Sequence, residues 1–204
     1  MSKQFDGIFE KRFDAELFLR GCLLFSIGAA KKTLLADILG ASVDAAFSSV
    51  DTLMTMDTVI IAFAYVFQLY FDFSGYCDMA EGVSLLFGIR LPENFNSPYK
   101  RTDFSAFWRS WHASLGRFFT RYVYIPLGGS RKGALRLYLN IAVVFILSGL
   151  WHGNSLTFLL WGMIHAVIVV ITRLIDLNSR LASLSSGQPY VVIFKKALNA
   201  LRSA

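Results

Sequence analysis

Hydrophobic and polar positions divide the chain into long apolar runs and short charged segments. Residues 58–76 carry no charge until Asp72, and residues 135–150 and 156–175 form two further apolar runs. About 20 consecutive apolar residues suffice for a helix to cross a bilayer, so these runs predict three transmembrane helices. Residues 17–30 make a shorter run that ends at two lysines, which predicts a partial, tilted or packed helix.

The two ends of the chain differ from these predicted spans. Residues 1–12 are mixed and charged with no apolar core, so they do not resemble a cleavable signal peptide, and insertion is expected to depend on internal spans. Residues 190–201 are apolar but include Lys195 and Lys196, which is typical of an interfacial amphipathic helix. We therefore predict an all-α fold in one membrane domain, residues 1–204, with polytopic helices and an amphipathic re-entrant or interfacial cytoplasmic segment.

Composition agrees with a membrane protein. Hydrophobic residues make up 55% of the 204 positions and aromatic residues 15%, more than a soluble domain usually carries. The formal net charge is +6, but the basic residues are spread between apolar runs, which argues against nucleic acid as a partner. The two cysteines lack metal-ligand spacing, and no metal site is expected.

A basic segment between the apolar runs at residues 58–76 and 135–150 determines the predicted topology. Residues 88–133 are rich in Arg, Pro, Gly and aromatic residues. From position 100 to position 136 one acid, Asp103, faces eight basic residues: Lys100, Arg101, Arg109, Arg117, Arg121, Arg131, Lys132 and Arg136. By the positive-inside rule this loop is predicted to face the cytoplasm.

Within that loop, residues 103–121 fit one amphipathic helix. At 100° per residue one face collects Trp108, Trp111, His112, Leu115, Phe118 and Phe119. The other face carries Arg109, Arg117 and Arg121, which could dock an acidic carrier protein or a nucleotide-bearing donor, or could only anchor the helix to lipid headgroups. For His112 the residues alone favour a packed, hydrogen-bonded histidine over a catalytic one.

His152 is the strongest candidate for chemistry. Residues 135–150 separate it from the basic loop, and as a helix they rise roughly 24 Å, which places it in or just beyond the far half of the bilayer. An ionisable residue at a helix break at that depth is a functional candidate, although it could also cap a helix end. His165, in the next span, could line the same cavity or simply pack.

Three acidic residues, Asp72, Asp78 and Glu81, lie at the end of the apolar run that begins at residue 58. Asp72 and Asp78 could bind arginines of the basic loop or take part in proton movement. Carboxylates in membrane proteins usually have ionic or hydrogen-bonding partners, so the structural role is favoured.

The chain contains several long motifs in this order: "IGAAKKTLLAD", "FQLYFDFSGYCDMAEGV", "LPENFNSPYKRTDFSAFWRSWHASL", "YVYIPLGGSRKG", "SGLWHGNSLTF" and "LWGMIHA". Together they resemble the membrane-bound O-acyltransferase (MBOAT) family, in its bacterial branch for alginate O-acetylation and teichoic-acid D-alanylation. The resemblance covers roughly residues 15–170, and long motifs in register are more specific than any short pattern.

The resemblance implies a function and two catalytic residues. His152 corresponds to the essential histidine of the family's Trp-His-Gly motif, and His112 to the histidine near the cytoplasmic mouth. The implied activity is transfer of an acyl group, acetyl by preference, from a cytoplasmic thioester donor (acetyl-CoA or an acyl carrier protein) towards a cell-envelope polysaccharide or related polymer. The basic face of the amphipathic segment, with Arg109, Arg117 and Arg121, is expected to bind that donor, and no bound cofactor is expected.

The resemblance also implies a multi-pass protein of the inner (plasma) membrane that works with a periplasmic or extracellular acyltransferase partner. Family members are longer, with further N-terminal membrane helices, so the chain is expected to correspond to a C-terminal portion. The alternatives are an inactive truncated membrane scaffold, D-alanyl transfer to teichoic acid, and a transporter or channel. The Trp-His-Gly break and the Trp-rich amphipathic segment favour the acyltransferase over the transporter.

Overall fold

A computed structural model of the protein describes residues 13–185, with side chains through residue 175. These residues are helical and contain no strand, which confirms the all-α prediction. Seven α-helices follow in order: α1 Ala15–Ala30, α2 Asp37–Phe47, α3 Thr55–Leu86, α4 Phe104–Ser110, α5 Ala113–Phe119, α6 Ala134–His152 and α7 Leu156–Ser185. The predicted interfacial helix at residues 190–201 lies outside the described residues.

Three helices are long and apolar enough to cross a membrane: Thr55–Leu86, Ala134–His152 and Leu156–Ile175. They coincide with the three predicted spans, and α1 is not among them, as expected for the shorter run. Many of their large apolar side chains are exposed in the described chain. Such surfaces are normal for a protein whose outer faces meet lipid or further protein.

The chain divides after Pro92 into two compact units. In the first unit α1 packs along α3, and short π-helical residues Lys31–Ala36 join α1 to α2. A Cβ added at Gly28 would lie 2.6 Å from the carbonyl oxygen of Gly75, and one at Gly82 would lie 2.7 Å from that of Gly21. The glycines therefore let the two backbones approach closely, as small residues do between membrane helices.

In the second unit α6 and α7 pack in the same way. A Cβ at Gly162 would lie 2.5 Å from the carbonyl oxygen of Phe145, so α7 approaches the α6 backbone directly. The loop before α6 is held by Asn140, which is 2% exposed and donates from Nδ2 to the carbonyl oxygen of Gly129 at 2.9 Å. This buried amide fixes the Gly-rich turn against the start of the predicted span.

Candidate active site

The predicted single helix over residues 103–121 is wrong, because the chain breaks at Trp111 and His112. Helix α4 begins at Phe104, is capped by the Asp103 carboxylate, which accepts the Ala106 N–H at 2.7 Å, and ends at Ser110. His112 adopts a left-handed conformation with φ of 45°, which a continuous helix cannot contain. Helix α5 then starts at Ala113, so one helical wheel does not describe the whole segment.

The break is held open by the preceding segment, residues 94–96. The Ala113 N–H donates to the carbonyl oxygen of Asn94 at 3.0 Å, and the Asn96 N–H donates to that of Ser110 at 3.0 Å. Backbone groups that a helix would pair internally thus find partners outside it. The same contacts fix the position of the His112 side chain.

The tautomer of His112 follows from its contact with Asn94. The Ser114 N–H donates to Asn94 Oδ1 at 2.9 Å, so that atom is an acceptor. The Nδ1 of His112 lies 3.3 Å from the same oxygen and must carry the proton to bond with it. In that tautomer the lone pair is on Nε2, the ring nitrogen that can act as a base.

Burial lowers the pKa of His112 below its usual value, and the neighbouring His152 lowers it further. A protonated imidazole loses hydration in this half-buried position and meets a second histidine that can also be charged. His112 is therefore neutral at neutral pH. A neutral imidazole is the form that can accept a proton.

His152 is the last residue of α6 and lies among aromatic rings. Its ring centroid is 5.0 Å from that of Trp151 and 5.3 Å from that of Trp161 on α7. Gly153 follows, and a Cβ there would lie 2.5 Å from the Phe158 ring, so the Trp-His-Gly turn has no room for a side chain after the histidine. Helix α6 therefore ends at His152, the candidate catalytic residue.

His112 and His152 line one small cavity of about 80 Å³, which we call the histidine cavity. Ser148, one turn before His152, also lines it, together with Trp108, Gly116 and Phe145. The predicted catalytic pair therefore shares one space, although the two residues are 40 positions apart in the chain. Ser148 was missed at the sequence level, where its position inside an apolar span was the available signal.

A larger cavity of about 530 Å³ adjoins the first, and we call it the arginine cavity because Arg109, Arg117 and Arg173 line it. The two cavities share Trp108, Gly116, Val144 and Phe145. No carboxylate of the described residues forms an ion pair with these three arginines. Three guanidinium groups beside apolar walls suit a ligand with an anionic part and a less polar part.

Two of the three predicted donor-binding arginines thus lie at the cavity, and the third does not. Arg121 follows α5 in a short π-helical turn, is absent from the lining of both cavities, and has its guanidinium carbon 5.7 Å from the Tyr122 ring centroid. Arg173 takes the third position and was missed. The signal was a basic residue near the end of an otherwise apolar run, a feature that marks function in membrane helices.

His165 packs and lines neither cavity. Its Nδ1 lies 2.8 Å from the carbonyl oxygen of Trp161, and its ring stacks on Phe104 at a centroid distance of 5.9 Å. Trp108 meets the same ring edge-to-face at 5.1 Å. Of the two roles that the sequence allowed for His165, the structure supports packing between α4 and α7.

The acids of the first unit pair with lysines of that unit. Asp78 contacts Lys31 at 2.5 Å, and Lys32 contacts Asp72 at 2.6 Å and Asp37 at 2.8 Å. These ion pairs within the first unit agree with the structural role that the sequence favoured for Asp72 and Asp78. Asp37 and Asp72 raise the pKa of Lys32 above its usual value, so this lysine stays charged.

These features define an all-α membrane protein in which two motif histidines share a cavity beside an arginine-lined space. The family model for MBOAT, membrane-bound O-acyltransferase family, matches residues 3–200. The chain belongs to this family.

Three relatives indicate the range of the similarity. The chain is 46% identical over 153 residues to a peptidoglycan O-acetyltransferase of Helicobacter pylori, covering 75% of this chain and 29% of that protein. It is 44% identical over 162 residues to a probable alginate O-acetylase of Pseudomonas fluorescens (79% and 32%). It is 32% identical over 121 residues to a teichoic acid D-alanyltransferase of Bacillus subtilis (56% and 31%). The chain thus spans about a third of the length of the curated relatives it matches.

Proposed function

We propose that the protein transfers an acyl group, acetyl by preference, from a thioester donor to a hydroxyl acceptor, towards a cell-envelope polymer. The observation that carries the proposal is the shared cavity of His112 and His152 beside the arginine cavity. The relatives with the higher identities are named as a peptidoglycan O-acetyltransferase and a probable alginate O-acetylase, which supports acetyl over D-alanyl.

The chemistry requires one base and one place for the donor. The hydroxyl oxygen of the acceptor attacks the thioester carbonyl while Nε2 of His152 takes the hydroxyl proton. The carbon–sulfur bond then breaks, the acyl group stays on the acceptor oxygen as an ester, and the thiolate leaves with the proton returned from the imidazole. His112 lines the same cavity and, in this proposal, helps to position the reacting groups.

The arginine cavity holds the donor in this proposal. Acetyl-CoA and the arm of an acyl carrier protein both carry phosphate, which Arg109, Arg117 and Arg173 bind by charge-assisted hydrogen bonds. The apolar wall around Val144 and Phe145 accommodates the less polar arm that carries the thioester. No resident cofactor takes part, since the donor is a substrate.

The proposed setting is the inner (plasma) membrane, crossed several times. The basic segment of residues 100–136 faces the cytoplasm, where the donor is made, and the ester product forms towards the outer side. A periplasmic or extracellular acyltransferase partner then passes the acyl group to the polymer. The carrier protein or coenzyme is the partner on the cytoplasmic side.

The experiment is donor-dependent labelling of membranes that contain the protein. Membranes receive thioester donors labelled in the acetyl group or in D-alanine, and base-labile label in the envelope fraction is measured against membranes without the protein. We expect acetyl incorporation above that background. D-alanine incorporation alone would assign the alternative acyl group, and no incorporation from either donor would support an inactive scaffold.

A further inference from the structure

Gly116 is a glycine whose missing side chain is not explained by packing or backbone conformation. It lies inside α5, and a Cβ added there would meet no atom within 4 Å. Its φ is not positive, unlike that of Gly128 or Gly129. Glycine weakens a helix interior relative to alanine, so an open position of this kind would normally favour another residue.

The other helical glycines of the second unit behave differently. A Cβ at Gly162 would lie 2.5 Å from the Phe145 carbonyl oxygen, and one at Gly149 would clash with that of Phe158. Those two glycines are needed for helix packing. Gly116 instead leaves space empty, and it lines both the arginine cavity and the histidine cavity.

We propose that Gly116 keeps open the passage from the arginine cavity to the histidine cavity, so that it determines the size of the acyl-bearing arm that reaches His112 and His152. The inference rests on the proposed function and adds a specificity-determining residue to it. The other shared residues are Trp108, Val144 and Phe145, all larger than glycine. Trp108 and Phe145 contact each other at a centroid distance of 5.4 Å, so this wall is already packed.

A graded series at position 116 tests the passage. Alanine adds one methyl group into open space and improves helix propensity, so Gly116→Ala should raise Tm and slow acetyl transfer least of the series. Gly116→Val and Gly116→Phe add progressively more volume beside a cavity of about 80 Å³. We expect Gly116→Phe to lower kcat about 100-fold, the scale of loss when reacting groups are misplaced by about 1 Å.

The matched control is Gly40→Ala in α2, where the added Cβ would lie 3.4 Å from Gln68 and line neither cavity. It should leave acetyl transfer unchanged. A kcat of Gly116→Phe within threefold of that of the unchanged protein would contradict the proposal that Gly116 keeps the passage open. Failure of the unchanged protein to transfer any acyl group would instead overturn the proposed function, which separates the two outcomes.

A second variant covers the case in which phenylalanine prevents folding. Gly116→Cys adds a small side chain, and a bulky thiol reagent can be attached after the protein has folded in membranes. We expect the unmodified variant to transfer acetyl and the modified variant to lose transfer at least tenfold. The same reagent on the unchanged protein controls for Cys22 and Cys77. Retained transfer after complete modification would refute the passage.

Discussion

Replacing the three arginines of the arginine cavity should weaken donor binding without affecting membrane insertion. Arg109, Arg117 and Arg173 are exposed, so each contact with a donor phosphate is taken as about 1 kcal/mol, the upper end for exposed ion pairs. One substitution by glutamine then raises the apparent Kd of the donor about fivefold. The triple substitution raises it on the order of 100-fold if the three contacts add.

The assay is donor titration of acyl transfer in membranes, with Arg121→Gln as the matched control because Arg121 lines neither cavity. The control should leave the apparent donor affinity unchanged. Raising the salt concentration should weaken donor binding in the unchanged protein and much less in the triple variant, since the lost contacts are ionic. An unchanged affinity in the triple variant, or equal loss in Arg121→Gln, would refute the assignment of the cavity to the donor.

Three further predictions concern the pH profile, the topology and the packing. Because the pKa of His112 is lowered, the Tm should fall as the pH drops below about 6.5, the usual imidazole value, since the unfolded chain takes up the proton first. A smaller fall of Tm over this range in His112→Gln is expected, and an equal fall would contradict a neutral His112. Ser130→Cys should react with an impermeant thiol reagent in inverted vesicles and not from outside intact cells, against the unchanged protein as control; labelling from outside would reverse the topology. Gly162→Val should lower the free energy of unfolding by about 1–3 kcal/mol through overpacking on α6, whereas an unchanged Tm would contradict the close approach.

The helices followed from the sequence because their signals are local. Apolar length alone predicted α3, α6 and residues 156–175 of α7, since a span must satisfy its backbone hydrogen bonds internally. The break in the basic loop could not be predicted in this way. It depends on Asn94, 18 residues before His112, whose backbone and side chain replace the helical partners of residues 113 and 114.

The candidate site likewise contains residues that one segment of the sequence identifies and residues that only helix packing brings together. His152 was identified from its depth and its helix break, which are properties of one segment. Arg173, Ser148 and Gly116 join the site only because α4, α5, α6 and α7 pack around the cavities, and no periodicity links these positions. Arg121 was grouped with Arg109 and Arg117 by the helical wheel, but the chain breaks at His112 and Arg121 lines neither cavity.

The central claim is tested most directly by His152→Ala, measured as acyl incorporation into the envelope polymer and normalised to membrane-inserted protein. Loss of a general base lowers a rate by about 10²–10⁴, so incorporation should fall close to background while the amount of inserted protein stays similar. His165→Ala is the matched control and should be milder, because His165 lines neither cavity. Near-normal incorporation by His152→Ala, together with loss in His112→Ala, would place the reacting centre at His112 and contradict the account.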